Sequence, residues 1–406
     1  MNILLVSQEY PPETAHGGIA TQALTKAKGL AALGHTVHVI SHSIDGERHQ
    51  ISDSNIQVIR IPGLERRFPV MTEIARWLTY SLMVAEEIEH VLGKSDIDII
   101  EFPEWAAEGY FYLLNRKERP LVPVVIHLQG PLVMFGHKIG WPDMQSSFYK
   151  TGTHMEAACI HMADAVYSSS ECSSQWVRQY YDPRIKKIPV IHTGIDTNMF
   201  APLPVDKYPN KTIIFSGHIV SNKGVTELVE ASSKLSQQIP GLRLRILGRG
   251  EESFIQKLRK TAEQFYAPDL LEFPGFLPRE VLPEELSRAH VFAAPSWYEG
   301  GPGFVYLEAM ACGLPVIGCT GSGIQENVIH GQNGLLIQPK NTGALEQALR
   351  KILSDKDILF RMGRNARSYV EEHCDSINCL KKIEDYYLNV INDHRLRKSL
   401  YQNDQI

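Results

Sequence analysis

Short continuous runs of Val, Ile and Leu alternate along the chain with longer stretches in which apolar residues return every three or four positions. The first pattern predicts buried strands and the second amphipathic helices. In the first half the strand-like runs fall at 3–7, 36–40, 57–61, 97–101, 123–128, 165–168 and 187–191. Helix-length segments lie between them at 21–33, 70–92, 145–162 and 170–181. The strands show little alternation, as expected of parallel sheets covered on both faces. Strand–helix alternation of this kind builds right-handed βαβ units.

The rhythm pauses at 201–210, where Pro202, Pro204 and Pro209 suit a linker better than a helix or an inner strand. It restarts with strands at 212–216, 243–247, 271–273, 291–294, 315–318 and 334–337. The expected fold class is α/β, with two doubly wound, Rossmann-like domains. These are residues 1–200 and 211–375, joined by the linker 201–210; a last helical segment, 376–406, is long enough to pack back on the first. Ligands of such sheets bind beyond the carboxyl ends of the strands. Two facing domains would therefore make one cleft.

Composition adds mainly exclusions. With 406 residues, 43% hydrophobic and 21% charged, the chain is globular and not disordered, coiled-coil or fibrous. The net charge is −5; the first 200 residues carry 17 basic against 22 acidic side chains, and the remainder 24 of each. Neither half is a basic platform for nucleic acid, and the first weighs against broad attraction to anionic lipid. Six cysteines without a C-x-x-C pair read as small buried apolar residues, not a disulfide scaffold. The apolar run at the start is too short for a signal peptide, and no run is long enough to span a membrane. A cytoplasmic protein is expected, with peripheral contact at the inner face of a membrane left open.

Three places could carry chemistry. The first strand runs through Glu9-Tyr10-Pro11-Pro12 to Gly17-Gly18, after which Leu24, Ala27, Leu30 and Ala31 share one helix face. Glycines before a helix let an anion or substrate approach free N–H groups; a plain flexible loop is the alternative. No G-x-G-x-x-G fingerprint is present. Strand 212–216 ends at Gly217, followed by His218, Lys223 and Gly224. A lysine there can reach a phosphate as a point charge or simply be solvated, and His218 alone would read as structural.

The densest segment is 294–317. Glu299 and Glu308 flank Gly300-Gly301-Pro302-Gly303, and Pro302 suits the first turn of a helix. The N–H groups near Gly303, Phe304 and Val305 would be unpaired helix-start donors, suited to a diphosphate. Glu308 stands amid Phe304, Val305, Leu307, Ala309 and Met310. A carboxylate buried there needs partners: ribose hydroxyls, or an Arg, Lys or backbone donor. Glu299, in the loop, can meet sugar hydroxyls or water. No His/Asp/Glu cluster has metal-ligand spacing.

On these residues the chain resembles a retaining glycosyltransferase of family 4, with the GT-B fold. The resemblance runs through Gly34-His35-Thr36-Val37, Ala163-Asp164-Ala165-Val166, Thr193-Gly194-Ile195-Asp196, Gly217 with Lys223-Gly224, and Leu247-Gly248-Arg249-Gly250. Its most specific block is Glu308-Ala309-Met310-Ala311-Cys312-Gly313-Leu314-Pro315, with Glu326 and Asn333-Gly334 downstream. The resemblance implies that Gly17 and Gly18 form the loop admitting donor diphosphate and acceptor. It implies that His127 lies near the donor sugar and the reacting carbon. Lys223 would bind the diphosphate, Glu299 the donor-sugar hydroxyls and Glu308 the ribose. Without the resemblance His127 would read as a core histidine.

Two departures stand out. The family usually has an arginine where this chain has His218, so diphosphate binding would rest more on Lys223, helix-start amides or Arg249. The two acids are usually spaced E-x7-E, whereas Glu299 and Glu308 are spaced E-x8-E; an insertion within 300–303 accounts for it. The resemblance implies sugar transfer with retention from a nucleotide-diphosphate sugar, UDP more commonly than GDP, to an acceptor hydroxyl. No metal or other cofactor is expected, the nucleotide-sugar being a co-substrate. Partners expected are the donor and a glycan, lipid-linked or small-molecule acceptor, and no nucleic acid. A nucleotide-sugar epimerase of the same fold and a non-catalytic nucleotide-sugar-binding homologue are the rival readings. Arg66-Arg67-Phe68, Trp77, Trp105, His137-Lys138 and Trp141 are candidates for an acceptor path or a membrane edge.

Overall fold

Strands of Val and Ile dictate two parallel sheets in the computed structural model, which describes residues 1–14, 17–63, 72–116 and 122–403. The chain divides into unit 1, Met1–Gly194 with Ser376–Ile406, and unit 2, Ile195–Asp375. In unit 1 the elements run β1 (Asn2–Val6), α1 (Gly18–Ala32), β2 (Thr36–His42), β3 (His49–Asp53), β4 (Ile56–Ile61), α2 (Glu73–Leu92) and β5 (Ile99–Pro103). There follow α3 (Tyr110–Leu114), β6 (Val124–Leu128), α4 (Leu132–Ile139), α5 (Ser147–Met162), β7 (Ala165–Ser168) and α6 (Glu171–Tyr180). Unit 2 begins with β8 (Thr212–Ser216), α7 (Val225–Ser236), β9 (Arg243–Leu247), α8 (Glu252–Gln264), β10 (Leu271–Gly275) and α9 (Leu282–Arg288). It continues with β11 (Val291–Ala293), α10 (Phe304–Ala311), β12 (Val316–Cys319), β13 (Gly334–Ile337), α11 (Thr342–Ser354) and α12 (Lys356–His373). The final helix, α13 (Ser376–Asn403), belongs to unit 1.

The sheet of unit 1 is ordered β3-β4-β2-β1-β5-β6-β7 and that of unit 2 β10-β9-β8-β11-β12-β13. The order reverses between β1 and β5 in the first and between β8 and β11 in the second. These switch points are where open α/β sheets bind ligands. In unit 1 one face, with Leu4, Ile100, Phe102 and Ile126, packs on Trp77, Val84, Met155 and Cys159 of α2 and α5. The other, with Ile3, Leu5, Ile99 and Val125, packs on Ala27 and Leu30 of α1 and on Leu380, Ile383 and Tyr387 of α13. A side chain on Gly29 would meet Leu380 Cδ1 at 2.0 Å, so α1 and α13 approach as closely as they do because that position is glycine.

The stretch 201–210 is not a free linker. Leu203 N–H donates to Ser287 Oγ at 3.0 Å, Lys207 Nζ to the Ala289 carbonyl at 2.6 Å, and Tyr208 Oη to Glu285 Oε2 at 2.9 Å. With Phe200 fully buried, the proline-rich segment is a strap on unit 2, and the chain passes between units at Gly194–Ile195 and Asp375–Ser376. The run 187–191 makes a single bridge, Ser168 to Val190, and no named strand. Pro189 has no N–H to give a ladder. The structure adds β3, which runs antiparallel to β4 at the sheet edge. Its sequence is mostly polar and Ile51 is 48% exposed, so no apolar run announces it. Among the described residues no helix is long and apolar enough to cross a membrane.

Candidate active site

At the switch point of unit 2, the loops after β8 and β11 meet. A 3₁₀ turn, Ser221–Lys223, follows β8 and delivers Lys223. Its Nζ lies 2.6 Å from Glu299 Oε1. Both side chains are partly exposed, so the pair is reachable by a ligand. Gly224 must be glycine: its φ is +70°, and a Cβ would lie 2.1 Å from the Pro295 carbonyl oxygen. That close approach brings the lysine turn against the segment leading to Glu299. The Trp297 N–H donates to the Asn222 carbonyl at 2.8 Å, and the Trp297 indole to Glu227 at 2.8 Å, tying the two loops further.

His218 and Arg249 flank this pair. The loops after β8 and β9 join through Ile219 N–H to the Arg249 carbonyl at 2.8 Å, and the Arg249 guanidinium stacks over Phe276. Desolvation, and then the positive charges of Lys223 and Arg249, lower the His218 pKa from its ordinary value. The histidine is therefore neutral at pH 7 and does not supply the charge of an arginine. Gly217, which begins the loop after β8, donates its N–H to the Leu247 carbonyl at 3.0 Å.

Gly303 caps α10 with φ +71° and offers no side-chain acceptor, so the Phe304 and Val305 N–H groups begin the helix without a side-chain cap. Helix-start donors of this kind attract anions. The Glu299 carbonyl accepts from Gly323 N–H at 2.8 Å, which ties down the start of the glycine loop. Glu308 is 6% exposed and its Oε1 lies 2.9 Å from Arg279 Nη2. Of the partners the sequence left open, the structure supplies an arginine. Burial pushes the Glu308 carboxyl up to about 7, against the opposing pull of Arg279.

In unit 1, Gly17 is the N-cap of α1 and Gly18 its exposed first residue. The sequence offered an anion or substrate contact here, with a plain loop as the alternative. The structure brings the Glu9 carboxylate to this helix start: its Oε2 stands 3.6 Å from where a Gly17 Cβ would be. A fixed carboxylate at that helix start opposes a diphosphate. Burial raises the Glu9 pKa.

His127 requires a correction. It stands one residue before the end of β6, on the α1/α13 face, and is fully buried, 0% exposed, not open to a ligand. Its Nδ1 lies 2.9 Å from Lys26 Nζ, and its ring stacks on Tyr167 at 4.4 Å between centroids. Lys26 pairs with Glu101, which also accepts from the hydroxyls of Tyr167 and Tyr387. Burial, and then Lys26, hold the His127 pKa well below its ordinary value. Here the core reading of this histidine is the one the geometry fits.

Sequence reasoning missed the buried acids at the ends of β1, β5 and β6. Glu104 accepts Gln129 N–H at 2.7 Å and also Gly130 N–H. Glu108 accepts Gln8 N–H at 3.0 Å. Burial pushes Glu104 up to about 7 and Glu108 up to about 8. The signal was present in Glu101-Phe102-Pro103-Glu104-Trp105-Ala106-Ala107-Glu108, where three acids interrupt an apolar run. Of the aromatic candidates, Trp77, Trp105 and Trp141 gather around one pocket, whereas His137 packs on Trp176 and Tyr180, and Lys138 lies over Trp176. Arg66-Arg67-Phe68 lie outside the described residues.

Two family models match this chain: Glycosyltransferase Family 4 over residues 16–199, and Glycosyl transferases group 1 over residues 202–369. The chain belongs to glycosyltransferase family 4. It is a glycosyltransferase of the GT-B type. It is 26% identical to glycogen synthase of Mycobacterium tuberculosis, over 92% of this chain and 91% of that one. It is 25% identical to the GDP-mannose-dependent alpha-(1-6)-phosphatidylinositol monomannoside mannosyltransferase of Mycolicibacterium smegmatis, over 90% and 93%. Among solved structures, sucrose-phosphate synthase from Thermosynechococcus elongatus superposes with a TM-score of 0.83 at 22% identity, covering 97% of this chain and 99% of that one. Anabaena HepE in complex with UDP and glucose gives 0.73 at 19%, covering 96% and 100%. At these identities both structures speak for the fold alone.

Proposed function

We propose that this glycosyltransferase moves a sugar, with retention, from a nucleotide-diphosphate sugar to an acceptor hydroxyl in the synthesis of a glycan, polysaccharide or glycoconjugate. The observation that carries the reading is the Lys223–Glu299 pair of 2.6 Å at the switch point of unit 2. The lysine and the helix-start amides at Gly303, Phe304 and Val305 neutralise the departing diphosphate. Glu299 receives donor-sugar hydroxyls, and Glu308 the ribose, in exchange for or alongside Arg279. The departing diphosphate takes the proton of the incoming hydroxyl on the same face, so no side-chain base is assigned. The reading assigns no metal and no further cofactor. UDP is favoured as the nucleotide because it is the commoner donor in the family, and the GDP-mannose dependence of the mycolicibacterial relative makes GDP the rival to test. The enzyme would work in the cytoplasm, free or peripheral at the inner face of a membrane.

The test is a panel of UDP- and GDP-sugars, incubated with and without acceptors, with released nucleoside diphosphate and glycosylated product followed by mass spectrometry. Transfer from one donor with the anomeric configuration kept supports the reading. An epimerised sugar without nucleotide release, or nucleotide-sugar binding without any turnover, replaces it with an epimerase or a binding protein.

A further inference from the structure

Unit 1 has its own pocket, about 330 Å³ in volume, at the switch point between β1 and β5. Gln8 and Glu9 reach it from the end of β1, and Trp105 from the end of β5. Trp77 and Trp141 complete its aromatic side. The volume sits at the small end of the ~300–1,000 Å³ typical of small-molecule sites. It suits a ring compound better than a long acyl chain.

The aromatic side is fixed. Trp105 is held edge-on by Trp77 at 5.5 Å and by Phe135 at 5.5 Å. Trp141 lies nearly parallel to Trp105, at 6.4 Å and 27°. Trp77 is only 5% exposed, but Trp141 is 50% exposed, a large apolar face left in water at the pocket. The polar side is acidic. Glu9 and Glu73 line the pocket, and no lysine or arginine is among the described lining residues. The Glu9 carboxylate stands beside the start of α1, its Oε2 3.6 Å from where a Gly17 Cβ would be.

A flat indole with its negative face favours a ligand that presents polarised C–H groups. A carboxylate favours hydroxyl donors, by charge-assisted hydrogen bonds, and repels phosphates and carboxylates. Few ligands offer an apolar C–H face and a rim of hydroxyls without negative charge. A neutral pyranose ring does.

We propose that this pocket binds a neutral pyranose ring, packed on Trp105 and Trp141 with its hydroxyls donating to Glu9, and that this ring is the acceptor's. Its role as acceptor subsite rests on the glycosyl-transfer reading above; its affinity for neutral sugar does not. The acceptor is thereby a neutral glycan and not an anionic lipid headgroup.

The full chain would be titrated with maltose and methyl α-mannopyranoside, with methyl glucuronide, and with vesicles of phosphatidylcholine and phosphatidylinositol. Saturation-transfer NMR and tryptophan fluorescence report the first three, and sedimentation the last. A neutral glycoside should bind, and Trp141→Ala should weaken it about tenfold or more, equivalent to ~1.4 kcal/mol, while Trp141→Phe retains most of the affinity. Thermal unfolding checks that each variant is folded. Glucuronide or vesicles binding as well as the neutral sugars, or an unchanged affinity in Trp141→Ala, overturns the proposal. Calorimetry of UDP-glucose and GDP-mannose with the wild-type chain keeps the two readings apart. Donor binding without any neutral-glycoside binding overturns the pocket and leaves sugar transfer standing. Glycoside binding without donor binding overturns the transfer reading and, with it, the acceptor role.

Discussion

Lys223 Nζ lies 2.6 Å from Glu299 Oε1, and the two residues come from loops on either side of a switch point, 76 positions apart in sequence. A partly exposed pair of this kind adds about 0–1 kcal/mol to stability. Stability therefore gives little reason for the arrangement, and holding the lysine ready for a diphosphate gives a better one. Lys223→Ala should unfold within a few degrees of the wild-type chain yet lose about 10²–10³-fold in turnover, the cost of one electrostatic stabiliser of a leaving group. Circular dichroism against temperature checks the unfolding, and released nucleoside diphosphate measures the turnover. Turnover near that of the wild-type chain takes Lys223 out of the site.

Glu308 already has a partner in Arg279 at 2.9 Å, so loss of donor affinity in Glu308→Gln does not by itself distinguish a ribose contact from a disturbed ion pair. The ligand can make the distinction. If Glu308 receives ribose hydroxyls, the wild-type chain should prefer a nucleotide-sugar over its deoxyribose analogue by about tenfold or more, as expected when a carboxylate loses a hydroxyl donor. Glu308→Gln should reduce that preference. Equal preference in both proteins leaves Glu308 as the structural partner of Arg279.

What the sequence made legible follows the physics of its signals. Runs such as 3–7 and 212–216 are apolar on both faces, because both faces of a doubly wound sheet are covered, and they became β1 and β8. The polar edge strand β3 has no such pressure and left no pattern. The prolines of 201–210 indicated an irregular segment but not what it rests on, because Leu203 N–H and Lys207 find partners more than 80 positions away. His127 looks alike in a core and in a site. Only Lys26, 101 positions distant, and Tyr167 beneath the ring decide between them. Arg279 likewise had no local signal linking it to Glu308.

His218 replaces the arginine usual in the family, and the charges of Lys223 and Arg249 help to keep it neutral. His218→Arg should therefore add a charge that the wild-type chain lacks at pH 7. The Michaelis constant for the donor should fall several-fold, and more at low than at high ionic strength, because the added interaction is screened. At pH 7 the histidine itself should show little sensitivity to replacement by Gln. A large loss in His218→Gln would mean that the ring makes a specific hydrogen bond and not a weak ionic contact.

Glu104 and Glu108 make a prediction about pH. Burial pushes their carboxyls up to about 7 and about 8, above the ordinary value of 4.5, although each accepts backbone N–H groups. A carboxyl raised in the folded chain binds its proton more tightly there than when unfolded. The stability it contributes is fully present below the unfolded value and is lost as pH rises through the folded one. Unit 1 should therefore lose stability between about pH 4.5 and 8, from the unfolded carboxyl value to the folded ones, by up to ~1.4 kcal/mol per pH unit for each such group. Urea unfolding followed by tryptophan fluorescence reports mainly on this unit, because Trp77, Trp105, Trp141 and Trp176 lie in it and Trp297 lies in unit 2. Glu108→Gln keeps a carbonyl acceptor for Gln8 N–H and cannot ionise. It should flatten the upper part of the slope and exceed the wild-type chain in relative stability near pH 9. An identical slope in Glu108→Gln would show that Glu108 is ionised in the folded chain throughout the range, with its charge satisfied by the Gln8 backbone.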